Sequence, residues 1–300
     1  MQSKSVQCLS PSGLHNMRYT EWGARDNPRI VICVHGLTRN CRDFDDLARN
    51  LEKDFRVVCP DIVGRGQSEW LADKQYYGLQ QYLADINTLL ARLTADVEHA
   101  SEREILWVGT SMGGMIGMLF SSLPRTPVFR LVLNDVGTLI PQASLERLAR
   151  YVGKAPACHT LEELNVYLRT VSAAFGPLND AQWDHLTRHN ARQNADGAWT
   201  MNYDPGIAFP FQAKPINDID LWSYYDRITC PTLLLRGAAS DLLLKDTALA
   251  MTQRGPQARL VEFAGVGHAP MLMTDDQINA VRGFLTEGKD VSRFADGTQA

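Results

Sequence analysis

Three hundred residues are enough for one large α/β domain, or for a core domain that carries an insertion. The composition is that of an ordinary globular chain, and a formal net charge of -4 creates no basic field for nucleic acid or anionic lipid. No apolar run reaches the roughly eighteen residues a bilayer span needs, and the amino terminus MQSKSVQCLSPSG lacks the apolar stretch of a signal peptide, so a cytoplasmic protein is expected.

Short apolar runs alternate with helix-period segments, the pattern of a mostly parallel sheet flanked by helices. An amino-terminal hairpin is expected over Ser5 to Leu9 and Met17 to Trp22. Buried strands follow at Arg29 to Val34, Phe55 to Cys59, Ile105 to Val108, Phe129 to Leu133, Thr232 to Leu235 and Arg259 to Phe263. The helices between them are Phe44 to Leu51, Leu79 to Leu93, Met112 to Leu123 and Gln277 to Leu285. Leu83, Ile86, Leu90 and Leu93 recur at three- and four-residue steps and should face the core. Cys8, Cys33, Cys41, Cys59, Cys158 and Cys230 are scattered, with no C-x-x-C pair or nearby paired histidines, and read as structural thiols.

One interval breaks the alternation. Between the strands ending near Leu133 and starting near Thr232 lie roughly a hundred residues, where a crossover needs only a dozen or more. The surplus is read as an inserted, mainly helical cap, which divides the chain into a first core part (1–135), the cap (136–228), a second core part (229–287) and a tail (288–300). Helices are expected in the cap at Leu145 to Tyr151, Leu161 to Phe175 and Ala181 to His189, with a turn at Asp196-Gly197. Trp199, Phe209, Phe211 and Trp222 are its candidates for walling an apolar substrate pocket.

Gly109-Thr110-Ser111-Met112-Gly113 follows the run Ile105 to Val108 and fits Gly-x-Ser-x-Gly, the strand-to-helix turn that exposes a nucleophilic serine. Chance alone places that pattern in about one chain of this length in ten, so partners must decide. Serine needs a base, and the base needs an orienting acid. Gly267-His268-Ala269-Pro270 follows the last strand, and Arg236-Gly237-Ala238-Ala239-Ser240-Asp241 follows the one before it. Both lie past strand carboxyl ends, where open α/β sheets place ligands. The order Ser111, Asp241, His268 is that of α/β-hydrolases. Oxyanion donors are expected from the backbone N–H of Met112, at a helix start, and of Leu37, in the loop His35-Gly36-Leu37-Thr38.

With these residues in place the chain resembles the α/β-hydrolase superfamily, in its capped serine esterase and C–C hydrolase branch, over roughly Arg29 to Leu285. The resemblance is carried by Val34-His35-Gly36, Asp61-Ile62-Val63-Gly64-Arg65-Gly66-Gln67-Ser68, Gly109 to Gly114, Pro231 to Asp241 and Gly267 to Pro270. It implies the α/β-hydrolase fold, a lid over the site, and neither metal nor organic cofactor. It also implies that His35 shapes the oxyanion loop. Asp135, in Leu133-Asn134-Asp135-Val136-Gly137, competes for the acid, because some relatives carry it at that earlier strand end; Asp241 is preferred because similar hydrolases keep it in Arg-Gly-x-x-Ser-Asp.

Asp61 reads as a turn residue near the site floor, and Arg39 and Asn40 as solvated loop residues that could contact a polar group of the substrate. His185 and His189, four apart, could bind zinc but lack the glutamate of a metalloprotease helix and read as a surface face. The expected activity is hydrolysis of a small or medium carboxylic ester, thioester or lactone through an acyl-enzyme, on a small-molecule substrate, with no nucleic-acid partner and an open oligomeric state. A C–C bond hydrolase is the nearest rival, weakened by Leu37-Thr38-Arg39 where that branch carries extra glycines. A triad-bearing ligand receptor is the rival from another class.

Overall fold

The computed structural model describes residues 1–95, 103–212 and 215–287, so His99 and the expected tail lie outside the described residues. Strands β1 (Gln2–Ser10) and β2 (Gly13–Trp22) form the hairpin. They lead into β3 (Arg29–Val34), a 3-10 turn at Cys41–Phe44, α1 (Asp45–Leu51), β4 (Arg56–Pro60), α2 (Leu79–Thr94), β5 (Glu104–Thr110), α3 (Met112–Ser121) and β6 (Val128–Asn134). Next come β7 (Leu139–Ile140), α4 (Gln142–Tyr151), α5 (Leu161–Val171), α6 (Asp180–Asn190), β8 (Ala191–Gln193), β9 (Trp199–Met201), β10 (Ile219–Asp220) and α7 (Trp222–Tyr225). The chain then returns through β11 (Thr232–Gly237), α8 (Lys245–Met251), β12 (Arg259–Phe263) and α9 (Asp275–Thr286).

Eight strands make one sheet in the order β1-β2-β4-β3-β5-β6-β11-β12. It is parallel from β4 to β12, and antiparallel only where β1 meets β2 and β2 meets β4. Successive strand residues face opposite sides, which explains why the central strands read as unbroken apolar runs. Ile30, Ile32 and Val34 of β3 and Ile105 and Trp107 of β5 enter one core, which also takes up α2 and α3. Val31, Cys33, Leu106 and Val108 enter the other, against α1 and α9. Each fully buried side chain of this size contributes about 1.5–3 kcal/mol, and two-sided burial makes the strand ends rigid supports. All six cysteines are free and buried.

Among its described residues, the stretch between β6 and β11 adds no strand to this sheet. Its two ends run side by side, because β7 pairs with β10 in an antiparallel ribbon. Within it, α6 begins with a capping box in which the Asn179 side chain accepts from the Gln182 N–H and the Gln182 side chain accepts from the Asn179 N–H. Loop contacts tie the stretch down: the Gly66 N–H donates to the Asn202 carbonyl at 3.0 Å, the Asp204 N–H donates to the Gly64 carbonyl at 2.7 Å, and the Tyr77 hydroxyl donates to the Asp204 carboxylate at 2.7 Å. No helix among the described residues is long and apolar enough to cross a membrane.

Two details fix how closely the strand ends approach. A Cβ on Gly113 would lie 1.9 Å from the Val34 carbonyl oxygen, and one on Gly109 would lie 2.3 Å from the Gly113 carbonyl oxygen. Only hydrogen fits there, so α3 starts in direct backbone contact with β3 and β5. His35, fully buried, joins two strand ends: its Nδ1–H donates to the Gly36 carbonyl at 2.7 Å, and its Nε2 accepts from the Ile62 N–H at 2.9 Å. Those roles need the neutral ring. Burial, with Arg65 and Arg39 nearby, pushes its pKa down from 6.5 to about 4.

Gly113→Ala is expected to cost roughly 1–3 kcal/mol, the range for overpacking a filled core, seen as a lower urea midpoint at unchanged m-value. A wild-type midpoint would refute the close approach. For His35 the folded pKa lies below the unfolded one, so its contribution is complete above pH 6.5 and is lost as pH falls towards about 4. The unfolding free energy should therefore fall more steeply across that window in the wild type than in His35→Gln. Parallel pH profiles for the two proteins would contradict this.

Candidate active site

The strand order doubles back at β3, which has β4 on one side and β5 on the other. Segments leaving β3 and β5 part there and open a crevice beyond the carboxyl ends. Val34 and Gly109 pair at the last rung, so His35-Gly36-Leu37 and Ser111 emerge as neighbours. Ser111 has φ 52° and ψ -115°, a region L-residues rarely enter. The conformation is over-determined: the Ser111 N–H donates to the Asn134 carbonyl at 2.9 Å, while its own carbonyl accepts from the Gly114 and Met115 N–H groups. Its side chain is left partly accessible.

His268 follows β12. Its Nε2 lies 2.9 Å from Ser111 Oγ and its Nδ1 lies 2.7 Å from Asp135 Oδ2. A carboxylate only accepts, so Nδ1 carries the proton and Nε2 is free to accept the serine proton. The Asp135 carboxylate also accepts the Gly237 N–H at 2.8 Å and the Ser240 hydroxyl at 2.6 Å, and Asp135 has no exposed surface.

The acid expected from the sequence, Asp241, is not the one at His268. Its carboxylate is 53% exposed and is held by Arg147 of α4, at 2.6 Å from Nε and 3.0 Å from Nη2. The reason is sheet position. β6 lies between β5 and β11, so the residue that leaves it points between the serine and histidine loops. After β11 it is Ser240 that turns inward, and its neighbour Asp241 is left at the rim. Asn134, which the motifs did not single out, locks the same corner by donating from Nδ2 to Thr110 Oγ1 at 2.9 Å and to the Pro270 carbonyl at 2.8 Å. The run Leu133-Asn134-Asp135 at a strand end was the available signal.

Met112 opens α3, so its N–H lies in the first turn, where no intrahelical acceptor exists. The Gly36 carbonyl is held by His35 Nδ1–H and by the Arg39 N–H at 3.2 Å. A trans peptide points its N–H opposite its carbonyl, so the Leu37 N–H faces away from His35. Fully buried Arg65 steadies the next peptide by donating to the Leu37 carbonyl at 2.9 Å. Leu37 and Met112 both border the cavity onto which Ser111 opens.

Two cavities meet at Ser111. One, about 740 Å³, is walled by side chains such as Met115, Ile140, Leu145, Ile207, Phe211 and Ile219. The other, about 270 Å³, is bordered by His268, Arg39, Asp43, Arg147, Asp241 and Phe175. Leu37, Ser111 and Leu148 border both. Of the four aromatic candidates only Phe211 lines either of these two cavities. Trp199 is tied into β9, whose backbone exchanges hydrogen bonds with Cys158. Trp222 packs on Tyr225 and under Arg254, and Phe209 is 42% exposed on the outer surface. Trp199 and Trp222 pack against the core instead of the cavities, and Phe209 packs against neither.

Arg39 and Asn40 are not solvated loop residues, since both are buried; Asn40 Nδ2 donates to the His189 carbonyl and to Asn190 Oδ1, both at 3.0 Å. Nor do His185 and His189 form a free surface face. With Asp45 they bring three possible ligand atoms within 4.8 Å of one another. Arg42 already occupies that spot, with bidentate bonds to Asp45 and its Nη1 3.3 Å from His189 Nδ1. Cys8, His15 and Asp85 make a similar group, in which the His15 ring bonds Asp85 at 2.9 Å and burial and Asp85 push the Cys8 thiol up to about 12. Asp61 accepts the Cys41 and Gln67 N–H groups from a fully buried position, as a turn residue should.

Comparison with known proteins follows the same lines. A 3-hydroxybutyrate-oligomer hydrolase of Cupriavidus necator is 45% identical over 289 residues, 94% of this chain and 96% of that protein. A putative hydrolase from Rickettsia typhi superposes with a TM-score of 0.86 at 32% identity, over 95% of this chain and 99% of that one. An alpha/beta hydrolase from Novosphingobium aromaticivorans gives 0.81 at 34% identity, over 94% and 98%. The profile of the alpha/beta hydrolase family matches residues 31–281, and with the doubled-back parallel sheet and the serine turn beneath its crevice, the chain belongs to that family.

Proposed function

We propose that this protein is a serine esterase that cleaves small or medium carboxylic esters through an acyl-enzyme, with Ser111, His268 and Asp135 as its triad. The observation that carries the reading is the unbroken chain from Ser111 Oγ through His268 to the buried Asp135 carboxylate, at 2.9 and 2.7 Å. Ser111 attacks the ester carbonyl while His268 Nε2 takes its proton, and Asp135 holds the ring and steadies the imidazolium. The Leu37 and Met112 N–H groups stabilise the oxyanion. His268 then protonates the leaving alkoxide, and water, activated by the same nitrogen, releases the acid.

Residues 136–228 serve as a cap, since α4 supplies Leu145 and Leu148 to the walls around Ser111. The apolar cavity receives the acyl part. The relative's activity on 3-hydroxybutyrate oligomers points to short oligoesters of hydroxy acids as the first substrates to try. No step calls for a metal or an organic cofactor.

Ser111→Ala should lower kcat by roughly 10⁵–10⁶ in a folded protein, measured with p-nitrophenyl butyrate; a variant that keeps a tenth of the activity would end the proposal. Asp135→Asn should cost roughly 10⁴, whereas Asp241→Asn, which frees only Arg147 at the rim, should cost less than about ten-fold. The opposite ranking would return the acid to Asp241. Truncating the cavity wall removes binding shared by ground and transition states, so Phe211→Ala should raise KM for long acyl chains with little change in kcat. An unchanged chain-length profile would take the acyl group out of this cavity.

A further inference from the structure

Two arginines, Arg56 and Arg65, have no exposed surface. Arg56 is paired with Glu21 at 2.9 Å. Arg65 instead bonds neutral groups: its Nε donates to the Leu37 carbonyl at 2.9 Å, its Nη1 to the Val63 carbonyl at 2.8 Å and the Tyr82 hydroxyl at 2.9 Å, and its Nη2 to Met112 Sδ at 3.7 Å. Its Cζ lies 4.9 Å from the centre of the Tyr82 ring and 5.8 Å from that of Tyr77. Among the described residues it forms no ion pair, and Asp204, which accepts from the Tyr77 hydroxyl, is paired with Lys74. An arginine cannot shed its proton, and a buried cation without a counter-ion is costly, so one kept in this place calls for a use.

The local sequence drives this side chain inward. Gly64 and Gly66, on either side of it, have φ of 84° and 55°. A Cβ on the first would lie 2.7 Å from the Tyr77 ring, and one on the second 2.3 Å from the Asp61 carboxylate. The guanidinium held between them touches both residues whose N–H groups face the oxyanion in the esterase reading, Leu37 through its carbonyl and Met112 through its sulfur. It borders neither cavity, so it acts on a substrate only through its field and through the two residues it holds. The same field reaches His35 in the adjoining turn, whose ring is kept neutral by burial and, in addition, by the Arg65 charge.

We infer that Arg65 is a positioning residue whose buried positive charge stabilises the oxyanion formed at the Leu37 and Met112 N–H groups. This rests on the esterase reading above. When Ser111 Oγ bonds to the ester carbon, one electron pair of the carbonyl double bond moves onto its oxygen and His268 takes the serine proton. A full negative charge then stands where the ground state had a neutral carbonyl, and a fixed cation gains most at that moment and little before it. Two unit charges about 8 Å apart at an effective dielectric of about 20 change a rate roughly 30-fold. An oxyanion one hydrogen bond beyond the Leu37 N–H stands at about that reach from a guanidinium on the Leu37 carbonyl. The expected contribution is therefore roughly 10–30-fold in kcat, with KM nearly unchanged.

The test separates charge from shape. Arg65→Gln removes the charge and can still donate to the Leu37 carbonyl; with p-nitrophenyl butyrate its kcat should fall roughly 10–30-fold while KM stays within about twofold. Trifluoromethyl pentyl ketone, which Ser111 converts into a bound oxyanion, should lose affinity by the same factor, whereas methyl pentyl ketone, which stays neutral, should not. Arg65→Lys restores a cation without the fork. A buried lysine sheds its proton as pH rises, so the kcat of this variant should be within about threefold of the wild type near pH 6 and drop towards the glutamine value by about pH 9. If the glutamine protein does not fold, Arg65→Met, whose apolar chain can pack between the Tyr77 and Tyr82 rings, takes its place with the same expectations. A folded neutral variant with wild-type kcat, a loss confined to KM, equal effects on the two ketones, or a lysine protein no better than the neutral one at any pH would each overturn the charge role. A wild type that neither cleaves p-nitrophenyl butyrate nor binds the trifluoromethyl ketone overturns the esterase reading itself.

Discussion

The Asp135 carboxylate has no contact with solvent, and the rest of the site is arranged around the need to satisfy it. A buried carboxylate without partners costs several kcal/mol. Here three donors meet its oxygens: the Gly237 N–H at the end of β11, the Ser240 hydroxyl just beyond it, and His268 Nδ1–H beyond β12. The arrangement that pairs the charge also fixes the imidazole, with its second nitrogen aimed at Ser111. Asn134, the preceding residue, ties the serine and histidine loops to the same strand end.

Two residues of that corner have strained backbones. Ser111 has φ 52° and Asp135 has φ 53°, each in the left-handed region that costs about 1–3 kcal/mol for a residue with a side chain. The strain persists because each residue leaves a parallel strand packed on both faces, and because the Ser111 and Asp135 N–H groups donate to the carbonyls of Asn134 and Leu235 on neighbouring strands. Glycines at 109 and 113 let α3 begin against β3 without a gap, so the serine cannot relax by moving its helix.

The segment between β6 and β11 gives the crevice two unlike sides. α4 stands where they meet: Leu145 faces the apolar cavity, while Arg147 reaches the charged one and draws Asp241 to its rim. The two cavities beside Ser111 thereby differ in lining, one walled by apolar side chains and the other bordered by Arg39, Asp43, Arg147 and Asp241.

The parallel sheet, its strand positions, the serine turn and the histidine after the last strand were all legible in the sequence, because each rests on local order: two-sided apolar runs, glycines where backbones touch, and one residue placed just past a strand. The turn His35-Gly36-Leu37 after β3 was legible for the same reason. The partner of His268 was not. Asp135 and Asp241 both follow strands, and only the lateral order β5-β6-β11, a property of how distant segments pair, sets one beneath the imidazole and leaves the other to Arg147. The insert's aromatics were equally undecided, since composition shows that Trp199, Phe209, Phe211 and Trp222 are apolar but not which of them the insert needs for its own core.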